Sequence, residues 1–360
     1  MKAAIFHGPK QDLTIEDVEI DQPMAREVLV RTVASGVCHS DLHFVDGNYR
    51  FPAPAILGHE AAGIVEDVGT DVTDFKAGDH VIACLSVFCG HCDFCLTGRS
   101  YLCRSPEIRR GPSDPPKLLW NGEPVNQFAN LSSYAEYMLV YENGLVKIRE
   151  DMPFGAAALI GCGVTTGVGA ALNTAKVAPG STVAVFGAGG VGLSVIQGAR
   201  IAGARQIIAV DTVETKLATA RELGATHIVD ASSGDPVDKI KELSDGGVDY
   251  SFEAIGLKVT AEQAFECIRR GGTATIIGMI PEGEMIELKG SSFLNEKKIQ
   301  GCSMGSNRFR VDMPIYVDFY LQGRLKLDEM ITKTGRLEDV NEAFRAMKAG
   351  EVARTVLEFD

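Results

Sequence analysis

A two-part α/β chain is predicted, a β-rich N-terminal region followed by a doubly wound parallel sheet. Three observations predict it. Up to about residue 150, short β-prone segments alternate with Gly and Pro turns, and helical periodicity is scarce. From Ser181 onward, short apolar runs alternate with helical segments of about a dozen residues, the pattern of a parallel sheet covered on both faces. Between one such run and its helix stands Gly187-x-Gly189-x-x-Gly192.

The elements follow in order. Val28–Val33, Ala62–Val68, His80–Ala83 and Tyr134–Val140 are the strands expected of the first region, an irregular barrel-like fold. Val183–Phe186 opens the second region, followed by apolar residues at helical spacing over Val191–Ala202. Ile207–Val210 is the next strand, and its helix runs through Leu217, Ala220 and Leu223 to a stop at Gly224. His227–Val229, Tyr250–Ala254, Thr273–Gly278 and Lys298–Cys302 continue the strand series. The tail, from Ile315 to Phe359, is helical and ends in a strand-like Thr355–Phe359, late enough to rejoin the first region.

Composition narrows the function. At roughly 150 residues per domain, 360 residues make two or three domains. Hydrophobic residues at 45 % and charged residues at 23 % are those of a soluble globular protein. The net charge of −13 disfavours nucleic acid and an anionic membrane surface as partners. The N-terminus shows no apolar targeting segment, and the apolar stretch Ala156–Leu172 is interrupted by glycines, so no membrane span is expected. Nine cysteines, six of them before residue 104, indicate metal or catalysis in a reducing, cytoplasmic setting rather than disulfides.

The glycine motif has a mechanical reading. Gly187 permits the tight turn, Gly189 lets a pyrophosphate approach the backbone, and Gly192 lets the helix pack on the strand. Amides at the helix start, from Gly190 and Val191, face the anion. Asp211 ends the next strand roughly 20 residues on, where an acid binds ribose hydroxyls and repels a 2′-phosphate, so NAD is expected over NADP.

Cys89, Cys92, Cys95 and Cys103 have the spacing C-x2-C-x2-C-x7-C. Four thiolates suit a closed structural zinc site, with an iron–sulfur cluster as the rival. His91, inside that loop, is read as solvated. Cys38, His59 and Cys162 look like a second, open site, although spacing alone cannot bring them together.

Gly58-His-Glu-Ala-Ala-Gly63-Ile-Val-Glu-Asp-Val-Gly69 resembles the zinc signature of the medium-chain alcohol dehydrogenases. Cys38-His-Ser40, the four-cysteine lobe, Gly161-Cys-Gly163, the Gly187–Gly192 turn, Asp211 and Arg354-Thr-Val-Leu357 occur in the order of that family. The resemblance covers essentially the whole chain. It implies a GroES-like catalytic domain over 1–160, a Rossmann NAD-binding domain over 161–303, and a return of 304–360 to the catalytic domain. It implies catalytic zinc on Cys38, His59 and Cys162, with Glu60 beside it and Asp41 orienting the histidine. Cys89, Cys92, Cys95 and Cys103 then hold structural zinc. Cys84, Cys267 and Cys302 remain packing residues.

The implied activity is reversible hydride transfer between an alcohol and NAD, with zinc as Lewis acid. Ser40 and His43 resemble the proton relay of the family. His39 and Arg354 match its pyrophosphate contacts, Lys216 its adenosine-ribose lysine, and Thr166 belongs to the same dinucleotide set. Tyr49, Leu85 and Met279 fall near its substrate-pocket positions by approximate register. Ser40 stands where some members carry Thr, so the expected substrates are bulky, aromatic or long-chain primary or secondary alcohols. The alternative within the class is oxidation of a formaldehyde–thiol adduct. That needs a cationic anchor, for which Arg109 and Arg110 are available, though both are read here as solvated charges. A remote alternative is a non-catalytic protein on the same fold, disfavoured because every ligand and relay position is filled. A homo-oligomer is expected, and the long segment Cys103–Tyr134 favours a dimer over a tetramer.

Overall fold

A computed structural model describes residues 1–360. The chain divides into two compact units, Met1–Cys162 with Arg308–Asp360, and Gly163–Asn307.

The first unit is built on β1 (Lys2–Phe6), β2 (Glu27–Val37), β3 (Ala61–Val68), β4 (His80–Ala83), β5 (Tyr137–Tyr141) and β6 (Leu145–Lys147), with helix α1 (His39–Asp46) leaving the end of β2. Inward residues of β2 and β3, such as Val28, Val30 and Val65, are buried with Phe75, Val81 and Met138 in one apolar cluster. A second cluster gathers Ile5, Phe6, Leu57 and Tyr134 against Val340 and Phe344 of the tail. Strands β2 and β3 pair antiparallel with register shifts, which is why the first region reads as irregular in sequence.

In the second unit β7 (Thr182–Phe186), β8 (Gln206–Asp211), β9 (His227–Asp230), β10 (Val248–Glu253), β11 (Ile268–Ile276) and β12 (Lys298–Gly301) form one sheet. Its order is β9-β8-β7-β10-β11-β12, and all five pairings are parallel. The order reverses between β7 and β10, the switch point at which doubly wound sheets bind ligands. Helices α2 (Gly190–Ile201), α3 (Glu214–Glu222), α4 (Pro236–Leu243) and α5 (Lys258–Glu266) connect the strands. Every residue of β7 is buried, as a central parallel strand requires. Gly224 ends α3's connection at φ +124°, a conformation that favours glycine.

The tail contributes β13 (Ile331–Gly335), α6 (Val340–Lys348) and β14 (Arg354–Glu358). Strand β14 pairs antiparallel with β2, Thr355 opposite Val37, completing the sheet order β6-β4-β3-β2-β14-β13. The apolar stretch around Ala156–Leu172 lies within one helical run, Phe154–Thr174, 21 residues long. That length would suffice for a span, but 89 % of its most apolar window is buried in protein, so it is a core helix.

Candidate active site

Three donors converge in the first unit. Cys38 ends the loop before α1, His59 follows the turn at Gly58 before β3, and Cys162 sits in the π-helical turn Ile160–Val164. Cys38 Sγ, a His59 ring nitrogen and Cys162 Sγ all lie within 4.8 Å of one another, and all three residues are buried. Gly161 is the residue that allows this approach. A Cβ there would stand 2.9 Å from the Ala83 carbonyl and 3.2 Å from the Ala61 nitrogen.

The ring of His59 is oriented from behind. Its Nδ1 donates to Asp41 Oδ1 at 3.0 Å, which leaves Nε2 as the nitrogen facing the sulfurs, 3.2 Å from Cys162 Sγ. Gly58 N–H donates to the same Asp41 oxygen at 3.1 Å. Tyr134 OH donates to Asp41 Oδ2 at 2.9 Å. Sequence reading missed Tyr134 as a site residue. It stands 93 positions from Asp41, and nothing local marks where its hydroxyl goes.

The electrostatics suit a cation. A hydrogen bond from Cys162 and the neighbouring His59 hold the Cys38 thiol well below its ordinary value, against burial. The Cys162 thiol is pushed up by that same hydrogen bond and by burial. Burial opposes charge on His59, but Asp41 and Cys38 overcome it and raise its pKa. Two thiols and an imidazole that compete for protons in a dry pocket give them up to a divalent metal. The three-donor set fits zinc with an open coordination position.

Beside the donors, the Glu60 carboxylate lies 3.4 Å from Arg354 Nη1, both side chains buried. Burial works against the Arg354 charge, and Glu60 and Cys38 hold it protonated above its ordinary range. The Arg354 Nε has no hydrogen-bond partner. His39, the first residue of α1, is exposed, while Ser40 and His43 are half-buried. His43 and Tyr49 meet edge to face at 5.8 Å. Leu85 packs partly into the cluster of Val65, Phe75 and Val81.

The four-cysteine lobe is closed. Sulfur separations are 3.5 Å for Cys92–Cys95 and 3.8 Å for both Cys89–Cys95 and Cys92–Cys103. A tetrahedron with metal–sulfur bonds of about 2.3 Å has edges of about 3.8 Å, so the lobe fits one ion rather than a multinuclear cluster. Burial opposes ionisation of Cys89, but the His91 and Cys92 amides bring it down to about 6. Cys95 is pushed up to about 12 by burial. His91 is exposed, as expected, with Glu107 Oε2 at 3.2 Å.

One expectation is corrected. Arg110 is not a solvated charge. Its side chain is 8 % exposed and pairs with Glu27 at 2.7 Å and with Asp21. Burying a guanidinium requires such partners. Arg109 is exposed and donates to Asn130 Oδ1 at 2.7 Å.

In the second unit the glycine turn has the shape its motif predicts. Gly187 has φ +94° and a Cβ there would meet Ile255 at 2.6 Å. A Cβ on Gly192 would stand 1.8 Å from the Gly187 carbonyl, so the helix packs on the turn only through glycine. Around Gly189 the space is open, as a bound pyrophosphate requires. Gly189 caps α2, and Gly190 and Val191 are its first two residues. Asp211 accepts from the amides of Ala188, Thr212 and Val213, at 2.8, 2.8 and 3.1 Å, which ties the acid to the turn. Lys216 is half-buried on α3, and Thr166 Oγ1 donates to Met304 Sδ at 3.3 Å. Met279 is half-buried with its carbonyl against Gly256.

Comparison with known proteins agrees with this geometry. Residues 24–150 match the alcohol dehydrogenase GroES-like domain and residues 190–320 the zinc-binding dehydrogenase family. The chain is 38 % identical to alcohol dehydrogenase class-3 of Dictyostelium discoideum, covering 99 % of this chain and 97 % of the relative. It is similar to an alcohol dehydrogenase zinc-binding domain protein from Burkholderia ambifaria (TM-score 0.95, 38 % identity, 100 % and 98 % covered). Benzyl alcohol dehydrogenase from Acinetobacter calcoaceticus superimposes with TM-score 0.94 at 34 % identity, covering 100 % of this chain and 99 % of that one. With both metal-donor sets and the dinucleotide turn assembled, the chain belongs to the zinc-dependent medium-chain alcohol dehydrogenases.

Proposed function

We propose that the protein oxidises a bulky primary or secondary alcohol, aromatic or long-chain, with NAD as hydride acceptor, and runs reversibly. The observation that carries this reading is the start of α1. Half-buried Ser40 stands two residues after the donor Cys38, and His43 lies one helical turn further on the same face.

Zinc on Cys38, His59 and Cys162 supplies a Lewis acid that acidifies the alcohol, and NAD supplies the acceptor for its hydride. Ser40 takes the hydroxyl proton and passes it toward His43, whose Nδ1 lies 3.2 Å from the Asn48 side-chain nitrogen. Burial lowers the His43 pKa from its ordinary value, against the Cys38 and Asp46 charges, so its imidazole is neutral at pH 7 and accepts a proton. His43→Gln therefore loses roughly a hundredfold in alcohol oxidation at pH 7, and the deficit shrinks toward pH 9 as solvent base substitutes. A constant deficit across that range would remove His43 from the relay.

Glu60 and Arg354 form the buried ion pair behind the donors, and His39 and Arg354 are proposed pyrophosphate contacts. Asp211 favours NAD, because a carboxylate repels a 2′-phosphate, and Lys216 and Thr166 complete the proposed dinucleotide set. Tyr49, Leu85 and Met279 are proposed pocket residues. A serine at position 40 lacks the methyl of threonine and leaves room for a larger substituent. One methylene is worth about tenfold in discrimination. Ser40→Thr should lower the ratio of benzyl alcohol to ethanol kcat/KM by that factor. An unchanged ratio would overturn the bulky-substrate reading.

The second reading, oxidation of a formaldehyde–thiol adduct, is favoured by the class-3 relative. Against it stands Arg110, whose charge is already spent on Glu27 and Asp21. Turnover of formaldehyde with thiol, and of no free alcohol, would reverse the preference. Six of the nine cysteines belong to the two metal-donor sets, a usage that fits a reducing, cytoplasmic setting. We also propose a homodimer: β12 is an edge strand of its sheet, and Phe293 and Leu294 beside it are exposed.

A further inference from the structure

We propose that Tyr134 is a positioning residue for the catalytic metal, its hydroxyl locking the Asp41 carboxylate that aims His59. Asp41 is buried and receives three donors: the His59 ring and the Gly58 amide on Oδ1, and the Tyr134 hydroxyl on Oδ2. Only the hydroxyl acts on the second oxygen. It fixes the rotation of the carboxylate, and with it the direction of the His59 ring. Without it, Oδ2 is a buried anionic oxygen with a lost donor, and the carboxylate turns to find another.

Tyr134 is suited to this by its own anchoring. Its amide donates to the Leu57 carbonyl at 3.1 Å, and the Ser133 amide donates to Gly58 at 3.0 Å. The ring lies so close to Gly58 that a Cβ there would stand 2.7 Å from Tyr134 Cδ1. Phe344 of α6 meets the ring edge to face at 6.1 Å. One side chain thus grips both the segment that delivers His59 and the acid that orients it. The tail helix holds Tyr134 in place.

The inference rests on the metal-site reading, and the two can fail separately. Tyr134→Phe keeps the ring packing and removes only the hydroxyl. Zinc content is measured first, then zinc release to the chelator 4-(2-pyridylazo)resorcinol. Tyr134→Phe is expected to release the zinc of the Cys38–His59–Cys162 site about tenfold faster than wild type, at the lower end of effects for groups behind a metal ligand. The four-cysteine zinc should leave at its wild-type rate. In an Asp41→Asn background the same change should accelerate release less than about twofold, because Tyr134 acts through that carboxylate. Wild-type release from Tyr134→Phe overturns the assignment. So does equal acceleration at both sites, which is general destabilisation, and so does the full tenfold effect in Asp41→Asn. A wild-type chain carrying only one zinc would fail the metal-site reading itself.

Discussion

Cys162→Ala is expected to bind one zinc per chain instead of two and to lose alcohol oxidation by roughly four orders of magnitude. The size follows from the chemistry: a Lewis acid at the reacting oxygen is worth several kcal/mol, and each 1.36 kcal/mol is about tenfold. The variant should fold. Its sulfur is buried in the first unit, and replacing thiol by methyl leaves the Gly161 approach to Ala83 and Ala61 intact. The paired Cys38 thiol loses the hydrogen bond that lowers its pKa, so the site loses both a ligand and a driving force for ionisation. Zinc by atomic absorption and NADH formation at saturating NAD measure the two effects. Full activity with one zinc per chain would show that the three-donor set is not the catalytic centre.

Glu27→Gln should be the most damaging change away from the site. The Glu27 side chain is 6 % exposed and receives Arg110 at 2.7 Å and Lys117 at 3.3 Å, themselves 8 % and 9 % exposed. Removing the acid leaves buried Lys117 without its counter-charge and Arg110 with Asp21 alone, which costs about 3 kcal/mol. Trp120, the chain's one tryptophan, lies in the same unit and reports its urea transition by fluorescence. The sign of the pH dependence is fixed. Burial alone would raise the Glu27 pKa, but Arg110 and Lys117 overcome it and bring it below the ordinary value. Its stabilisation is therefore present above the unfolded carboxyl range of about 4.3 and is lost as pH falls through the lower folded value. Glu27→Gln should melt early at pH 7 and lose comparatively little more on acidification. An unchanged midpoint would show the ion cluster to be dispensable.

Much of this protein was determined by local sequence. The order β7-turn-α2 and the fit of the glycine turn follow from Gly187, Gly189 and Gly192, because backbone sterics within six residues decide them. The closed cysteine lobe follows from spacing, because three thiols within seven residues can meet around one ion with little chain to order. Cys38, His59 and Cys162 were named from motif resemblance, since nothing local joins residues that far apart. Only the tertiary structure put their donor atoms within 4.8 Å, by closing β2, β3 and the Ile160–Val164 turn on one another. It alone revealed that Arg110 is buried against Glu27, and that the Tyr134 hydroxyl reaches Asp41. Both outcomes depend on contacts between residues 83 and 93 positions apart, which sheet pairing and core packing determine. A side chain's type says what bond it can make; where the chain folds decides which partner is within reach, and desolvation there decides what that bond is worth.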